Sequence, residues 1–377
     1  MNEPSLVSMP TLTIGKLTAS VPIIQGGMGV GISLSSLASA VAREGGIGIV
    51  AAAGIGMLEE DGTTNYEEAC TRRLKSEIRK AKALAGSQGI IGVNIMVAQS
   101  NYKDLVMAAV EAKADLIVSG AGLPLSLPEY TQGSEVMLVP IVSSARSAHV
   151  ILRRWYERYD RLPDAIVVEG PLAGGHLGFK PEELLEETLT LESLLPGVLQ
   201  EAETFGNLKG VKIPVIAAGG VFSGEDIQKF LRLGASGVQM ATRFVATEEC
   251  DASPAFKQTY INARKEDIVL IKSPVGLPGR AINNSFLREI SEGLRVPLRC
   301  PFHCIKTCNG QESPYCIALA LVQAFHGKFK NGFAFVGANG YRISEIVSVN
   351  RLMASLKEEY QRVVQNLELL PPLLSPI

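Results

Sequence analysis

The sequence predicts an α/β protein whose larger part is a (β/α)8 TIM barrel. Short apolar segments alternate with amphipathic helical stretches, and the alternation continues without a long interruption to about residue 250. The apolar segments number eight, which is the number of parallel strands that closes such a barrel. They are apolar almost throughout, as expected of parallel strands that are covered on both faces.

The eight predicted strands share nearly continuous runs of aliphatic residues. They are residues 22–27, 46–51, 90–96, 114–120, 136–142, 164–170, 213–220 and 237–244. Several of the intervening helical stretches begin with Ser or Asn and end at Gly, as capped helices do. The second strand, GIGIVA, also matches a G-x-G-x-x-A dinucleotide motif, but it lies inside a strand rather than at a strand-to-helix turn. We therefore predict no Rossmann domain.

The pattern changes after the eighth strand, which indicates a second and smaller unit. We predict a barrel over residues 11–250 and a substrate or lid unit over 251–377. The smaller unit contains a cysteine-rich segment and a C-terminal helix with Ser344 or Ser348 available as its cap, and we expect the proline-containing tail to fray.

Charge and hydropathy exclude several classes of partner. The 36 basic and 38 acidic residues give a net charge of -2 without a basic block, so the charge pattern that a phosphate backbone requires is missing. The N-terminus does not resemble a signal peptide, and the longest apolar stretch is too short to span a bilayer. We expect a cytoplasmic protein without nucleic-acid or membrane partners, and we keep a homodimer open.

Small and amide residues follow the predicted strands, where barrel enzymes place their chemistry. Glycine lets backbone N–H groups approach a ligand closely, so Gly219 and Gly220, with the hydroxyl of Thr242, suit a phosphate. The side-chain amides of Gln25 and Asn94 suit the edge of a heteroaromatic ring. Flavin mononucleotide (FMN) needs both kinds of contact. The alternative is that each glycine only serves a tight turn.

The same stretches resemble a known family, the nitronate monooxygenases, formerly called 2-nitropropane dioxygenases, and the related flavin-dependent enoyl-acyl carrier protein reductases. The likeness spans roughly residues 20–285. The matching motifs are PIIQGGMG (22–29), GGIGIVAAAG (45–54), IGVNIM (91–96), EGPLAGGHLG (169–178), IPVIAAGGVFSGEDI (213–227), GVQMATRFVATEEC (237–250) and SPVGLPGRA (273–281).

The resemblance implies an FMN site at the strand ends. It places the ring near Gln25, Gly26, Gly27, Met28 and Asn94, and the phosphate at Gly219, Gly220 and Thr242 with Gly175 nearby. Ser119 and Ala241 end two other strands, and we include them in the predicted site. The resemblance also puts His176 at the catalytic histidine position.

His176 is one of only four histidines, and it lies in the glycine-rich run EGPLAGGHLGF. Histidine titrates near neutral pH and can act as acid or base. It could remove the α-proton of a nitroalkane, neutralise a nitronate, or polarise the carbonyl of an enoyl thioester. The alternative is a histidine that caps a turn. We expect surface or helix-end roles for His149 and His326.

We predict an FMN-dependent oxidoreductase that oxidises alkyl nitronates with O2. The alternative is an NAD(P)H-dependent FMN enoyl-thioester reductase or quinone reductase, and a third hypothesis is a flavin-binding protein without turnover. A nicotinamide nucleotide would need an anchor, for which Lys272, Arg280 and Arg288 are candidates.

Four of the six cysteines lie close together in the smaller unit, with the spacing C-x3-C-x3-C-x7-C. Cys300, Cys304, Cys308 and Cys316 could bind zinc or an iron–sulfur cluster, since four thiolates suit either. The alternative is reduced thiols packed against the barrel, so we commit to no metal.

Overall fold

A short hairpin closes the N-terminal end of the molecule. The computed structural model describes residues 8–294, 300, 302–309 and 313–368. Strand β1 (Leu12–Ile14) pairs antiparallel with β2 (Leu17–Ala19). Residues of both strands pack with apolar side chains of the barrel interior, so the hairpin plugs the end of the barrel opposite the predicted site.

The next nine strands contain the predicted barrel. They are β3 (Ile23–Gln25), β4 (Ile47–Ala51), β5 (Ile90–Met96), β6 (Leu116–Gly120), β7 (Met137–Val142), β8 (Ile166–Glu169), β9 (Gly175–His176), β10 (Val215–Ala218) and β11 (Gly237–Met240). All but β9 form one closed parallel barrel, in which β11 pairs with β3. The prediction of eight parallel strands is confirmed.

A helix follows each barrel strand. These helices are α1 (Ser35–Arg43), α2 (Tyr66–Ala85), α3 (Tyr102–Glu111), α4 (Leu127–Tyr130), α5 (Ala145–Tyr159), α6 (Leu191–Lys209), α7 (Gly224–Arg232) and α8 (Thr242–Val245). Ser144, Thr190 and Ser223 cap α5, α6 and α7 with their side chains. Capping by Asn was the wrong expectation for α2 and α3, because Asn65 and Asn101 make no capping hydrogen bond.

The remaining elements follow the barrel. They are α9 (Pro254–Asn262), β12 (Ile268–Lys272), β13 (Pro278–Ile282), α10 (Ser285–Ser291), α11 (Ile317–Phe325) and α12 (Val349–Glu368). Strands β12, β13 and β9 form an antiparallel sheet beside the barrel. The sheet therefore joins the predicted smaller unit to the loop that carries His176.

The C-terminal helix covers a part of the barrel that α8, with four residues, is too short to cover. Ser348 caps α12, as predicted, by accepting a hydrogen bond from the Arg351 N–H at 3.2 Å. Helix α12 packs on α7 and α1, and its Leu352 and Met353 join the core around the barrel. The domain boundary near residue 250 stays a prediction, and the tail after residue 368 lies outside the described residues.

Side-chain alternation along the strands decides which residues face the site. Ile166 and Val168 of β8 pack in the core between barrel and helices, whereas Val167 packs in the barrel interior. Side chains of a strand alternate between its two faces, so Glu169, two residues after Val167, also faces the interior. It lies at the carboxyl end of the barrel. No described helix has the length and hydrophobicity needed to cross a membrane.

Candidate active site

A cavity of ≈ 260 Å³ opens at the carboxyl ends of the barrel strands. Most of the predicted site residues line it together. They are Gly26, Gly27, Met28, Asn94, Gly175, His176, Gly219, Gly220, Ala241 and Thr242. Residues beyond the barrel complete the wall, among them Tyr260, Phe335 and Asn339.

Two predicted cofactor residues do not line this cavity. Gln25 is fully buried, and its Oε1 accepts a hydrogen bond from the Ile49 N–H at 3.0 Å. Ser119 is also fully buried, with its hydroxyl 2.8 Å from that of Tyr102 and donating to the Ile95 carbonyl. Both side chains are bonded to groups of the barrel itself, and their contact with a cofactor stays a prediction.

Two glycines show why the cavity wall is backbone. A Cβ on Gly27 would lie 2.3 Å from the Cβ of Asn94, and a Cβ on Gly219 would lie 2.6 Å from the Gly170 carbonyl oxygen. Gly219 also has a φ of +86°, which side-chain-bearing residues rarely adopt. No other residue type fits at these positions without displacing its neighbours.

His176 is held by the segment that follows the barrel. Its strand β9 pairs with β13, and its Nε2 lies 2.7 Å from Ser273 Oγ. Phe335 packs edge-on against the imidazole, with ring centroids 5.0 Å apart. Burial lowers the pKa of His176 to about 4, so the imidazole is neutral at pH 7. The Val275 N–H also donates to Ser273 Oγ at 3.4 Å, so the hydroxyl that contacts the imidazole is itself held by the backbone.

Arg280 has a different role from the one the sequence suggested. Its buried Nη1 donates to the carbonyl oxygens of Pro171 at 2.7 Å and Ala173 at 2.5 Å. The guanidinium therefore fixes the loop before His176 and is not free to anchor a nicotinamide nucleotide. Lys272 and Arg288 are exposed.

Glu169 lines the same cavity and was not anticipated from the sequence. Burial raises the pKa of its carboxyl group to about 7. Gln239 also lines the cavity, and its buried Oε1 has no hydrogen-bond partner among the described residues. The sequence feature that could have identified Glu169 is a charged residue at the end of the otherwise apolar strand IVVE.

The segment after α11 closes the glycine-rich end of the cavity. The Gly337 N–H donates to Thr242 Oγ1 at 3.0 Å, and Asn339 Nδ2 donates to the Gly220 carbonyl at 2.7 Å. These contacts join residues about 100 positions apart, so spacing along the chain could not have indicated them.

The remaining histidines and the cysteines lie elsewhere. His149 is on the surface with Nδ1 3.0 Å from Glu201, and His326 follows α11, so both expectations for them are confirmed. All six cysteines are free thiols. Within the part of the chain that is described, no three side chains of the ligating types are close enough to hold a single metal ion.

The residues present fit FMN. A phosphate suits the close-approach backbone at Gly219 and Gly220, and the orphaned Gln239 Oε1 is an acceptor for a ring N–H. Asn94 supplies a further amide in the cavity wall. These features match a ligand that has both an anionic group and a hydrogen-bonding aromatic ring.

Comparison with known proteins agrees with this geometry. The family model described as nitronate monooxygenase matches residues 11–359. A probable nitronate monooxygenase of Staphylococcus aureus (strain Newman) is 29% identical over 307 residues, which cover 73% of this chain and 79% of the relative. The structure of FabK from Thermotoga maritima superposes with a TM-score of 0.70 at 27% identity, covering 92% of this chain and 94% of that one.

A further relative is named for a different activity. The (3aS,4S,5R,7aS)-5-hydroxy-7a-methyl-1-oxo-octahydro-1H-indene-4-carboxyl-CoA dehydrogenase of Mycobacterium tuberculosis is 28% identical over 275 residues, 73% of this chain and 66% of that protein. The family match extends over most of the chain. The chain therefore belongs to the nitronate monooxygenase family, a family of FMN-dependent oxidoreductases.

Proposed function

We propose that this enzyme oxidises alkyl nitronates with O2 and that His176 is its catalytic residue. The observation that carries the proposal is a neutral, oriented imidazole in the wall of a glycine-lined cavity of a nitronate monooxygenase family member. We propose that FMN contacts Gly26, Gly27, Met28, Asn94, Gly175, Gly219, Gly220, Ala241 and Thr242. Gln25 and Ser119 act on that site through the barrel backbone.

Bound FMN supplies the two-electron acceptor that the chain itself lacks, and the side chains prepare the substrate. A nitronate anion beside His176 stabilises the protonated imidazole, so substrate binding raises the pKa from its value in the free protein. With a neutral nitroalkane, the same imidazole takes the α-proton. Ser273 holds the ring in one orientation, and Phe335 excludes water from one edge of it.

A thioester reductase that uses NAD(P)H is the second candidate function, with quinone reduction as a variant of it. The specific observation in its favour is the relative whose name gives a carboxyl-CoA substrate. Glu169 adds a group that titrates near pH 7 in the cavity wall, as proton delivery to a substrate carbon requires. In this reaction His176 would donate a hydrogen bond to the thioester carbonyl.

Anaerobic reduction of the flavin separates the two functions. The FMN-loaded enzyme is mixed with an alkyl nitronate, with NADH or with NADPH, and the flavin absorbance is followed. We expect fast bleaching by nitronate and slow or no bleaching by either nicotinamide, since Arg280 is committed to the Pro171 and Ala173 carbonyls. Fast bleaching by a nicotinamide alone would assign the thioester or quinone reductase instead.

We also propose a cytoplasmic location and a division into an FMN-binding barrel (11–250) and a substrate unit (251–377). The contacts of Ser273, Phe335 and Gly337 with the barrel side of the cavity support a substrate role for the second part. Sedimentation of the holoenzyme tests whether it forms a homodimer.

A further inference from the structure

The proposed FMN contacts leave one part of the cavity wall unused. Aliphatic and aromatic side chains form this part, which we call the apolar wall. It consists of Val30, Ile32, Phe256, Tyr260, Leu321 and Phe335. The first four of these residues are buried, and the last two are half-buried.

The apolar wall is assembled where the barrel meets the segment after residue 250. The loop between β3 and α1 supplies its first two residues, α9 supplies the next two, and α11 supplies Leu321. The loop packs directly on α11, since a Cβ on Gly31 would lie 2.8 Å from the ring of Phe325. Most of the apolar wall therefore belongs to the proposed substrate unit.

Polar groups of the apolar wall are bonded within the protein. The Ile32 carbonyl accepts a hydrogen bond from the Asp251 N–H at 3.2 Å. The hydroxyl of Tyr260 donates to the carbonyl of Phe335. The apolar wall therefore offers a ligand mainly carbon atoms, which suits a hydrocarbon chain.

No lysine or arginine is present among the described residues that line the cavity. Basic residues that adjoin the lining along the chain are bound to backbone carbonyls. Arg243 Nη1 donates to Phe222 at 3.0 Å and Lys257 Nζ to Glu248 at 2.8 Å, while Arg280 holds the loop before the imidazole. A charged group buried against the apolar wall would have no cation as partner, which is costly.

The apolar wall begins at the proposed catalytic residue. Phe335 packs edge-on against the imidazole of His176, with ring centroids 5.0 Å apart. Tyr260, which is hydrogen-bonded to Phe335, packs on Phe256 with ring centroids 5.6 Å apart. A substrate whose anionic group lies at the imidazole can therefore extend its carbon chain along the apolar wall.

We propose that the apolar wall binds the carbon chain of the substrate, so that the enzyme selects nitronates with an uncharged alkyl chain and rejects those with a charged chain end. The proposal rests on the proposed function, which places the nitronate group at His176. Phe256 and Leu321 are specificity-determining residues in it, because they contact the chain and not the reacting atoms.

Binding of alkanoates to the oxidised, FMN-loaded enzyme tests the apolar wall without turnover. A carboxylate has the planar, two-oxygen anionic group of a nitronate, and isothermal titration calorimetry measures the affinity. From butanoate to hexanoate to octanoate, we expect Kd to fall about fourfold for each added methylene. Adipate, which is hexanoate with a second carboxylate, should bind on the order of 100-fold more weakly than hexanoate.

An affinity that does not depend on chain length would overturn the proposal. So would equal binding of hexanoate and adipate, or no binding of octanoate.

Turnover separates this proposal from the proposed function. The nitronates of 1-nitrohexane and of 6-nitrohexanoate are compared, and kcat/KM should favour the uncharged chain by the same order of magnitude as hexanoate over adipate. Equal kcat/KM values would support the proposed function and overturn the apolar wall as a selector. Chain-dependent alkanoate binding without oxidation of either nitronate would refute the proposed function and support the apolar wall.

Lysine variants of α11 locate the chain. Leu321→Lys places a cation at the apolar wall and should reduce the preference for hexanoate over adipate at least about tenfold. Leu319→Lys is the matched control, because Leu319 is half-buried on the same helix and does not line the cavity. Its preference should stay within twofold of that of the unmodified enzyme.

If Leu321→Lys does not fold, as judged by FMN content, Leu321→Ala replaces it. This variant should weaken octanoate binding about fivefold and leave butanoate binding within twofold, since only the longer chain reaches the removed side chain. Unchanged binding in the Leu321 variant, or equal changes in the Leu319 control, would contradict the assignment.

Discussion

The two sides of the flavin cavity are built in different ways. The barrel side is mostly backbone, and its side chains are absent or small at Gly26, Gly27, Gly219 and Gly220. The other side, from residues after 250, consists of side chains that reach back to the barrel. They are Ser273 on His176, Arg280 on the Pro171 and Ala173 carbonyls, and Phe335 against the imidazole.

The difference indicates that the two sides of the cavity have separate functions, cofactor binding on the barrel side and orientation of the imidazole on the other. In our proposal, backbone N–H groups at the glycines bind FMN, because the positions of these groups follow from the barrel turns. Long-range side-chain contacts orient the imidazole of His176, the proposed catalytic residue. Changes on the barrel side should therefore weaken FMN binding, and changes on the other side should lower turnover with FMN still bound.

The largest effect is expected where the two sides meet, at His176. His176→Asn should lower kcat by about 100-fold or more, the scale of lost acid–base assistance, with FMN content nearly unchanged. Steady-state kinetics on the better substrate class and FMN absorbance measure the two quantities. His149→Asn, at an exposed histidine, is the control. Unchanged turnover would leave His176 with only a turn-capping role.

A change confined to the barrel side should act on the cofactor. Gly219→Ala places a Cβ 2.6 Å from the Gly170 carbonyl oxygen at a φ of +86°, so we expect FMN affinity to fall roughly 30-fold, or about 2 kcal/mol. Fluorescence titration of apoprotein with FMN measures it.

The control for Gly219→Ala is Gly210→Ala. Gly210 has a φ of +63° with no atom near its Cβ position, so the substitution introduces backbone strain without a clash at the cavity. It should reduce stability by about 1 kcal/mol and leave FMN affinity unchanged. Equal FMN loss in both variants would mean that general destabilisation, rather than a local change at the Gly219 backbone, explains the result.

A change on the other side should act on the imidazole alone. Ser273→Ala removes the 2.7 Å contact with His176 Nε2, and a neutral hydrogen bond of about 0.5–1.5 kcal/mol predicts a 3- to 10-fold lower kcat. FMN affinity should stay within twofold of the unmodified enzyme. Ser291→Ala on the exposed face of α10 is the comparison variant. A loss of FMN in Ser273→Ala would contradict the proposal that the two sides of the cavity have separate functions.

The smallest effect is a pH dependence from Glu169. Its pKa of about 7 in the folded chain lies above its usual value of 4.5, so its stabilising contribution is complete below pH 4.5 and is lost as pH rises from 4.5 through 7. Glu169→Gln should therefore be more stable than the unmodified protein at pH 8, by roughly 1–3 kcal/mol, and similar at about pH 4. Denaturant unfolding at the two pH values measures this difference. An equal difference in unfolding free energy at both pH values would show that Glu169 does not titrate near pH 7.

The sequence alone predicted the barrel, its eight strands and ten of the residues that line the cavity. These features depend on local patterns, since apolar runs specify buried parallel strands and glycine pairs specify turns that allow close backbone approach. His176 could be singled out because it interrupts a glycine-rich run at a strand end, where barrel chemistry lies.

Which side chains enter the cavity depended on tertiary structure. Gln25 and Ser119 end strands as predicted, yet their side chains bond to Ile49 and Tyr102, whereas Glu169 faces the cavity. Successive residues of a strand point to opposite faces, so an assignment made from strand ends alone cannot tell which neighbour points inward.

The partners of the imidazole depended on tertiary structure as well. Ser273 lies 97 residues from His176, and Arg280 lies 109 and 107 residues from the carbonyls it binds. Their approach is set by the pairing of β9 with β13, which exists only once the segment after the barrel has folded onto it. The sequence by itself thus determined the type of site and singled out His176 as its predicted reactive residue. The folded chain decided the protonation and orientation of that residue, because burial and long-range hydrogen bonds control both.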